Sequence, residues 1–284
     1  MNENLFFHVH IGKTAGQTFN TILQRNFSPR MLMEYPMLFD VPFPREHVRW
    51  YVELYNYRCI SSHNLRWKEI PYEEFPGLYA ISFVRDPVRR LVSNYYYQRA
   101  RKDVQHDCYV NRYSLEELIY MVLKKGFSAP YSLNSQLHSL VNDDTLGKVK
   151  KLAGTGHFCL FQTERFNEAC VLLERLYPND FRDCAFPKSV NETPAYTRDD
   201  PNVIKIVEQL PYIEADQMLH KFSGEYMDSL IDGLFENREA FEFATKDFER
   251  RCQDKAASFN HFLSEKKAWL AGKIKNTAWS KKIK

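Results

Sequence analysis

Gly12-Lys13-Thr14-Ala15-Gly16-Gln17-Thr18 is the segment best equipped to hold an anion. A short apolar run precedes it and a helical pattern follows. A turn between strand and helix aims backbone N–H groups at one spot, and the helix dipole there favours negative charge. Lys13 adds a mobile positive charge, and Thr14 and Thr18 add hydroxyls. The same residues also suit an ordinary strand–turn–helix with a surface lysine. Gly-Lys-Thr invites comparison with a Walker A loop, which needs a further glycine five residues earlier. That position is Phe7, inside the apolar run, so the pattern fails.

A second constellation lies at Val84–Tyr97. Arg85 ends an apolar strand pattern and stands beside a helix start, where ligands bind in open α/β sheets. Its planar guanidinium suits bidentate contact with phosphate. Ser93 follows about two helical turns on, with Arg89 one turn before it on the same face. The competing reading pairs Arg85 with a carboxylate and makes Ser93 a packing residue. Asp86-Pro87 reads as N-cap plus first helical residue, so Asp86 is accounted for without a magnesium ion.

These groups need strands and helices to position them. Leu5–Ile11, Arg58–Ser61, Leu78–Val84 and Phe158–Phe161 read as strands. Helical patterns follow Gly16, Asp86, the capping box Ser114-Leu115-Glu116-Glu117 and Glu164, and dominate from Val203 onward. Residues 28–56 read as irregular with short helical pieces, and 187–201 as a proline-punctuated loop. Alternating strands and helices predict an α/β, P-loop-like three-layer fold. A central parallel sheet is flanked by helices, with a helical C-terminal third.

Composition narrows the function. The chain has 284 residues, 39 Lys+Arg against 36 Asp+Glu, and seven of the lysines fall in residues 266–284, where there is no acid. Without them 32 basic face 36 acidic groups, so residues 1–265 carry −4. A basic nucleic-acid coat is therefore not expected. No run reaches the roughly 18 apolar residues of a membrane span. The six cysteines are scattered without a Cys-x-x-Cys pair, as in reduced, buried thiols rather than a zinc site.

Taken together, the two anion segments are specific. His10-Ile11-Gly12-Lys13-Thr14-Ala15-Gly16-Gln17-Thr18 resembles the 5′-phosphosulfate loop of carbohydrate sulfotransferases, in which proline is usual at the position of Gly12 and threonine at that of Gln17. Val84-Arg85-Asp86-Pro87 through Ser93-Asn94-Tyr95-Tyr96-Tyr97 resembles that family's 3′-phosphate segment. The group includes heparan sulfate 2-O- and 6-O-sulfotransferases and bacterial relatives. Ile60-Ser61-Ser62-His63 resembles its segment bearing a catalytic histidine, with Ser62 where glycine is frequent. Asn134–Leu137, Thr163–Phe166 and Glu236–Ala244 match more weakly, and the likeness covers residues 5–250.

The resemblance implies the donor 3′-phosphoadenosine 5′-phosphosulfate, a saccharide or glycan hydroxyl as acceptor, and no metal. The loop Gly12, Lys13, Thr14, Ala15, Gly16, Gln17 and Thr18 would hold the 5′-phosphosulfate. Arg85 and Ser93 would hold the 3′-phosphate. Lys13 would follow charge on the bridging oxygen, and His63 would be the base, with His138 second. His8 and His10 would be structural. Arg66, Gln136, Lys188 and Asn191 would be acceptor-groove candidates, with surface roles the alternative for the last two. The family's animal members carry an N-terminal anchor that this sequence lacks, which implies a soluble, cytoplasmic, bacterial-type member.

A nucleotide-dependent kinase and a non-catalytic nucleotide- or saccharide-binding protein are the alternatives. Residues 1–265 form the expected domain and 266–284 a basic tail. Trp269, Leu270, Ile274, Trp279 and Ile283 alternate with its lysines, a pattern that suits an anionic membrane surface, an acidic glycan or a solvated terminus.

Overall fold

The computed structural model describes residues 3–34, 49–67, 70–100, 112–125, 135–141, 145–187 and 201–280, with 201–203 and 260–280 described by their backbone. Leu5–Val9 (β1) lies between Cys59–Ser62 (β3) and Leu78–Val84 (β4). Met31–Glu34 (β2) edges β3, and Phe158–Gln162 (β5) edges β4. The order is β2-β3-β1-β4-β5 and every pair is parallel.

A parallel sheet must be covered on both faces, so its strands are apolar on both sides. Phe6, Ile81, Phe83 and Phe161 enter one core; Phe7, Ala80, Val84 and Leu160 enter the other. The first core takes Phe19, Ile22 and Leu23 from Gly16–Phe27 (α1) and Cys170–Leu173 from Phe166–Leu176 (α6). Gln136–Val141 (α4) and Leu146–Ala153 (α5) cover the second. A third cluster joins Pro87–Ala100 (α2), Leu115–Lys125 (α3) and Pro201–Val207 (α7). Ile213–Leu234 (α8) spans both main cores, with Met227 and Ile231 in one and Leu219 in the other. Arg238–Ser280 (α9) adds Phe241 and Phe248 to the first. This is the expected three-layer α/β architecture, with helices throughout 201–280.

The chain leaves β1 toward β2 on one side, and leaves β4 toward β5 on the other. The crevice at the C-terminal ends of β1 and β4 is therefore the topological switch point, the usual place for a ligand. Lys13 and Arg85 follow those two ends, and His63 follows the neighbouring end of β3.

Two readings change. β2 falls inside residues 28–56, expected to be irregular; Met-Leu-Met-Glu has no β-branched residue and pairs on one edge only, so it leaves little periodic signal. The helix expected from Glu164 begins as a single 3₁₀ turn, Thr163–Arg165, ahead of α6. Lys188, Asn191 and most of the loop 187–201 lie outside the described residues. The α9 backbone runs through residue 265 without a break. Among the described residues no helix is long and apolar enough to cross a membrane.

Candidate active site

The loop after β1 is shaped by left-handed residues that are not glycines. Lys13 has φ 69° and Ala15 φ 63°. Such backbone costs of order 1–3 kcal/mol per residue and gathers at functional sites. The Thr14 side chain is fully buried and its hydroxyl donates to the Ile11 carbonyl at 2.8 Å, closing the loop on itself. Its proton is thus held inside the loop. Thr18 is buried in the first turn of α1, and Gln17 is exposed there.

Ala15 is the N-cap of α1, and an alanine offers no side-chain oxygen to the first helical N–H groups. Ala15 therefore leaves the positive first turn of α1 without a side-chain cap of its own. This observation fits a 5′-phosphosulfate, whose oxygens would supply what the cap residue does not. Gly16 has a separate reason to be glycine. A Cβ there would lie 2.0 Å from Nε2 and 2.1 Å from Cδ2 of His10.

Two cations flank this helix end. Arg85 Nη1 donates to the Lys13 carbonyl at 3.3 Å. The Lys13 ammonium sits 4.0 Å from the centre of the Tyr97 ring, on α2. Burial and then the nearby Arg85 charge pull its pKa down to about 8. Like charges held together this way are relieved by a bound anion.

Arg85 is fixed from behind. The Gln136 side chain accepts from Arg85 N–H at 2.9 Å and donates to Arg85 C=O at 2.7 Å. Gln136 sits in the first turn of α4, whose N–H groups at Gln136 and Leu137 donate to the Asp216 carboxylate at 2.8 and 2.9 Å. Ser135 Oγ donates to it at 2.8 Å, and Asp216 is fully buried. Gln136 is thus a clamp on the Arg85 backbone rather than an acceptor-groove residue. Asp86 Oδ1 accepts from Arg89 N–H at 2.8 Å, the cap that Asp-Pro predicts. Asp86 N–H donates to Glu164 Oε1 at 3.0 Å, and Glu164 Oε2 lies 3.1 Å from His220 Nε2, joining α2, the turn after β5 and α8. Ser93 lies two turns along α2 and is buried; Arg89 is exposed.

Beside the loop, three histidines stack. The rings of His8 and His10 are 5.0 Å apart at 20°, and those of His10 and His63 are 3.8 Å apart at 24°. His63 Nδ1 lies 2.7 Å from the His10 carbonyl. A carbonyl only accepts, so Nδ1 carries the proton and the basic lone pair is on Nε2. Burial, and then the charge of Arg66, hold the His63 pKa below the ordinary histidine range, against the upward pull of the His10 carbonyl. Burial drives His8 down to about 3 and His10 well below its ordinary value. Arg66 donates to the carbonyls of His63 and Leu65 at 2.9 and 3.1 Å, bracing the turn that carries His63. Ser62 Oγ accepts from Asn64 N–H at 3.1 Å, a role glycine cannot fill. His138 is exposed on α4.

The predicted Lys13, Arg85 and His63 thus follow the C-terminal ends of three adjacent strands, with the α1 amides among them. The parts sequence reasoning missed are Asp216, Gln136 as a clamp and the contacts of the His10 ring with His63 and Gly16. Among the described residues no group of three or more His, Cys, Asp or Glu is placed to hold a metal ion.

The linked Lys13 and Arg85 and the neighbouring His63 thus lie together at the switch point of an α/β sheet. The chain belongs to the Sulfotransferase family, whose model matches residues 2–210. An uncharacterized protein of Archaeoglobus fulgidus is 30% identical over 110 residues, which is 37% of this chain and 42% of that protein; the match thus spans under half of the relative's length. A solved structure, a sulfotransferase from Alicyclobacillus acidocaldarius, is 13% identical, with a TM-score of 0.39 over 85% of this chain and 100% of that one. A likeness that loose bears on no residue role.

Proposed function

We propose that this protein transfers a sulfuryl group from 3′-phosphoadenosine 5′-phosphosulfate to a hydroxyl of a saccharide or glycan. The observation that carries the reading is the His63 Nδ1–His10 carbonyl contact of 2.7 Å, which leaves the basic nitrogen of a neutral histidine at the strand edge that carries Lys13 and Arg85. An alcohol is a poor nucleophile until its proton leaves, so a positioned base is needed.

The donor supplies the sulfuryl group and a phosphate leaving group. The amides of Gly16, Gln17 and Thr18 bind its 5′-phosphosulfate, with Gly12 to Ala15 forming the turn around it. Lys13 leaves the Tyr97 ring to meet the charge that builds on the leaving oxygen. Arg85 and Ser93 hold the 3′-phosphate, the group that separates this donor from ATP. His63 Nε2 takes the acceptor proton. Positioning and charge stabilisation carry most of such a transfer.

Titration with 3′,5′-adenosine bisphosphate and with ADP, with and without Mg²⁺, tests the donor. The bisphosphate binds more tightly and without metal. Tighter, Mg²⁺-dependent ADP binding would point to a kinase instead.

A further inference from the structure

We propose that His10 is a positioning residue, a flat spacer that sets the distance between the His63 ring and the first turn of α1. This rests on the reading of His63 as the base. One face of the His10 imidazole lies on His63, with ring centres 3.8 Å apart. The ring also lies against Gly16, so close that an added Cβ would fall 2.0 Å from Nε2. No side chain larger than hydrogen fits between this ring and the helix end that would bind the donor. The carbonyl of the same residue accepts the His63 Nδ1 proton. His10 therefore fixes the tautomer of His63 through its main chain and the plane of His63 through its ring.

The stack is anchored in the core. His8 lies on His10, and its Nδ1 is 2.8 Å from Ser61 Oγ and 3.1 Å from Asn20 Oδ1. His10 is 5% exposed, and among the described residues its Nδ1 has no hydrogen-bond partner. The ring is thus used here for its shape, which is the property a spacer needs. Among the described residues, the titratable or charged groups facing His63 include His8 and His10 of β1 and Arg66 of its own turn. The first turn of α1 presents Gly16, Gln17 and Thr18, which carry no charge. A misplacement of about 1 Å at a reacting group costs on the order of 100-fold in rate.

The test compares the wild type with His10→Ala and His10→Phe, with His10→Leu replacing the alanine variant should that not fold. Three readings are taken: the His63 titration by NMR of histidine-labelled protein, kcat, and affinity for 3′,5′-adenosine bisphosphate. His10→Ala opens His63 to water, moves its titration toward that of an exposed histidine and lowers kcat by about 100-fold, while bisphosphate affinity holds. His10→Phe, which keeps a flat ring, restores both titration and rate. The proposal is overturned if His10→Ala leaves the His63 titration in place, or if His10→Phe is as damaged as His10→Ala. Should the wild type move no sulfuryl group, the base reading fails on its own, and the His63 titrations still decide the spacer.

Discussion

Arg85 reaches across the switch point and donates through Nη1 to the carbonyl of Lys13 at 3.3 Å, so the loops after β1 and β4 are held as one unit. Neither loop alone makes the proposed donor site. Because the guanidinium binds main chain and carries charge, its loss has two effects. Arg85→Lys keeps the charge but loses the planar fork. Affinity for 3′,5′-adenosine bisphosphate, measured by calorimetry, is expected to fall about 10- to 100-fold, as suits hydrogen bonds to a charged group. Unchanged affinity would remove Arg85 from the site.

Lys13 gives a pH signature. Its pKa of about 8 in the free protein lies below the ordinary lysine value because burial and then Arg85 disfavour its charge. A bound phosphate favours the charged form, so binding takes up a proton above pH 8. Bisphosphate affinity should therefore decline as pH rises through about 8, with proton uptake visible in calorimetry across buffers of different ionisation heat. Lys13→Met should abolish both the uptake and the decline.

The stacked histidines make acid costly. All three have folded pKa values below the ordinary value of 6.5, His8 at about 3. Their contribution to stability is full above the unfolded value and is lost as pH falls from there toward the folded values. Each histidine steepens the loss by up to about 1.4 kcal/mol per pH unit within its own window. Urea unfolding between pH 7 and pH 4 should show this slope, and His8→Asn should flatten it. An equal slope in the variant would contradict the account.

How much of this was readable in the chain differs by element. Leu78–Val84 is recovered to the residue, because a largely buried strand is a nearly continuous apolar run, interrupted here by Ser82, and a glycine and an arginine bound it. The Asp86 cap and the Ser114–Glu117 capping box were legible because caps are local: Ser114 N–H donates to Glu117 Oε2 at 2.6 Å and Glu117 N–H to Ser114 Oγ at 3.2 Å. The Asp216–Gln136 link was not, since 80 residues separate the partners and no local pattern joins them. The loop glycines drew attention to this turn for a reason only partly matched by its geometry: the left-handed residues are Lys13 and Ala15, while Gly16 makes room for His10.

Asp216 carries a prediction of its own. Replacing it with alanine strands the donors at Ser135, Gln136 and Leu137 in the core. Stability should fall by about 1–3 kcal/mol in urea unfolding. Bisphosphate affinity should also weaken, because Gln136 would no longer hold the Arg85 backbone. Loss of stability with unaltered affinity would separate the clamp from the site.

Gly16→Ala places a methyl group against the His10 ring. Overpacking of this kind costs about 1–3 kcal/mol, and here the displaced ring is the one that supports His63. The variant should fold, bind the bisphosphate less well and turn over slowly. Wild-type turnover would show that the contact is not needed.

The most direct measurement is transfer from sulfur-labelled 3′-phosphoadenosine 5′-phosphosulfate to a panel of glycans and lipid-linked saccharides, with mass spectrometry of the product, in wild type, Lys13→Ala and His63→Ala. The account predicts a sulfate ester on a saccharide hydroxyl with the wild type and, for His63→Ala, a rate lower by about 100-fold or more. Full activity in His63→Ala, or no transfer to any acceptor by a wild type that still binds the bisphosphate, would contradict it.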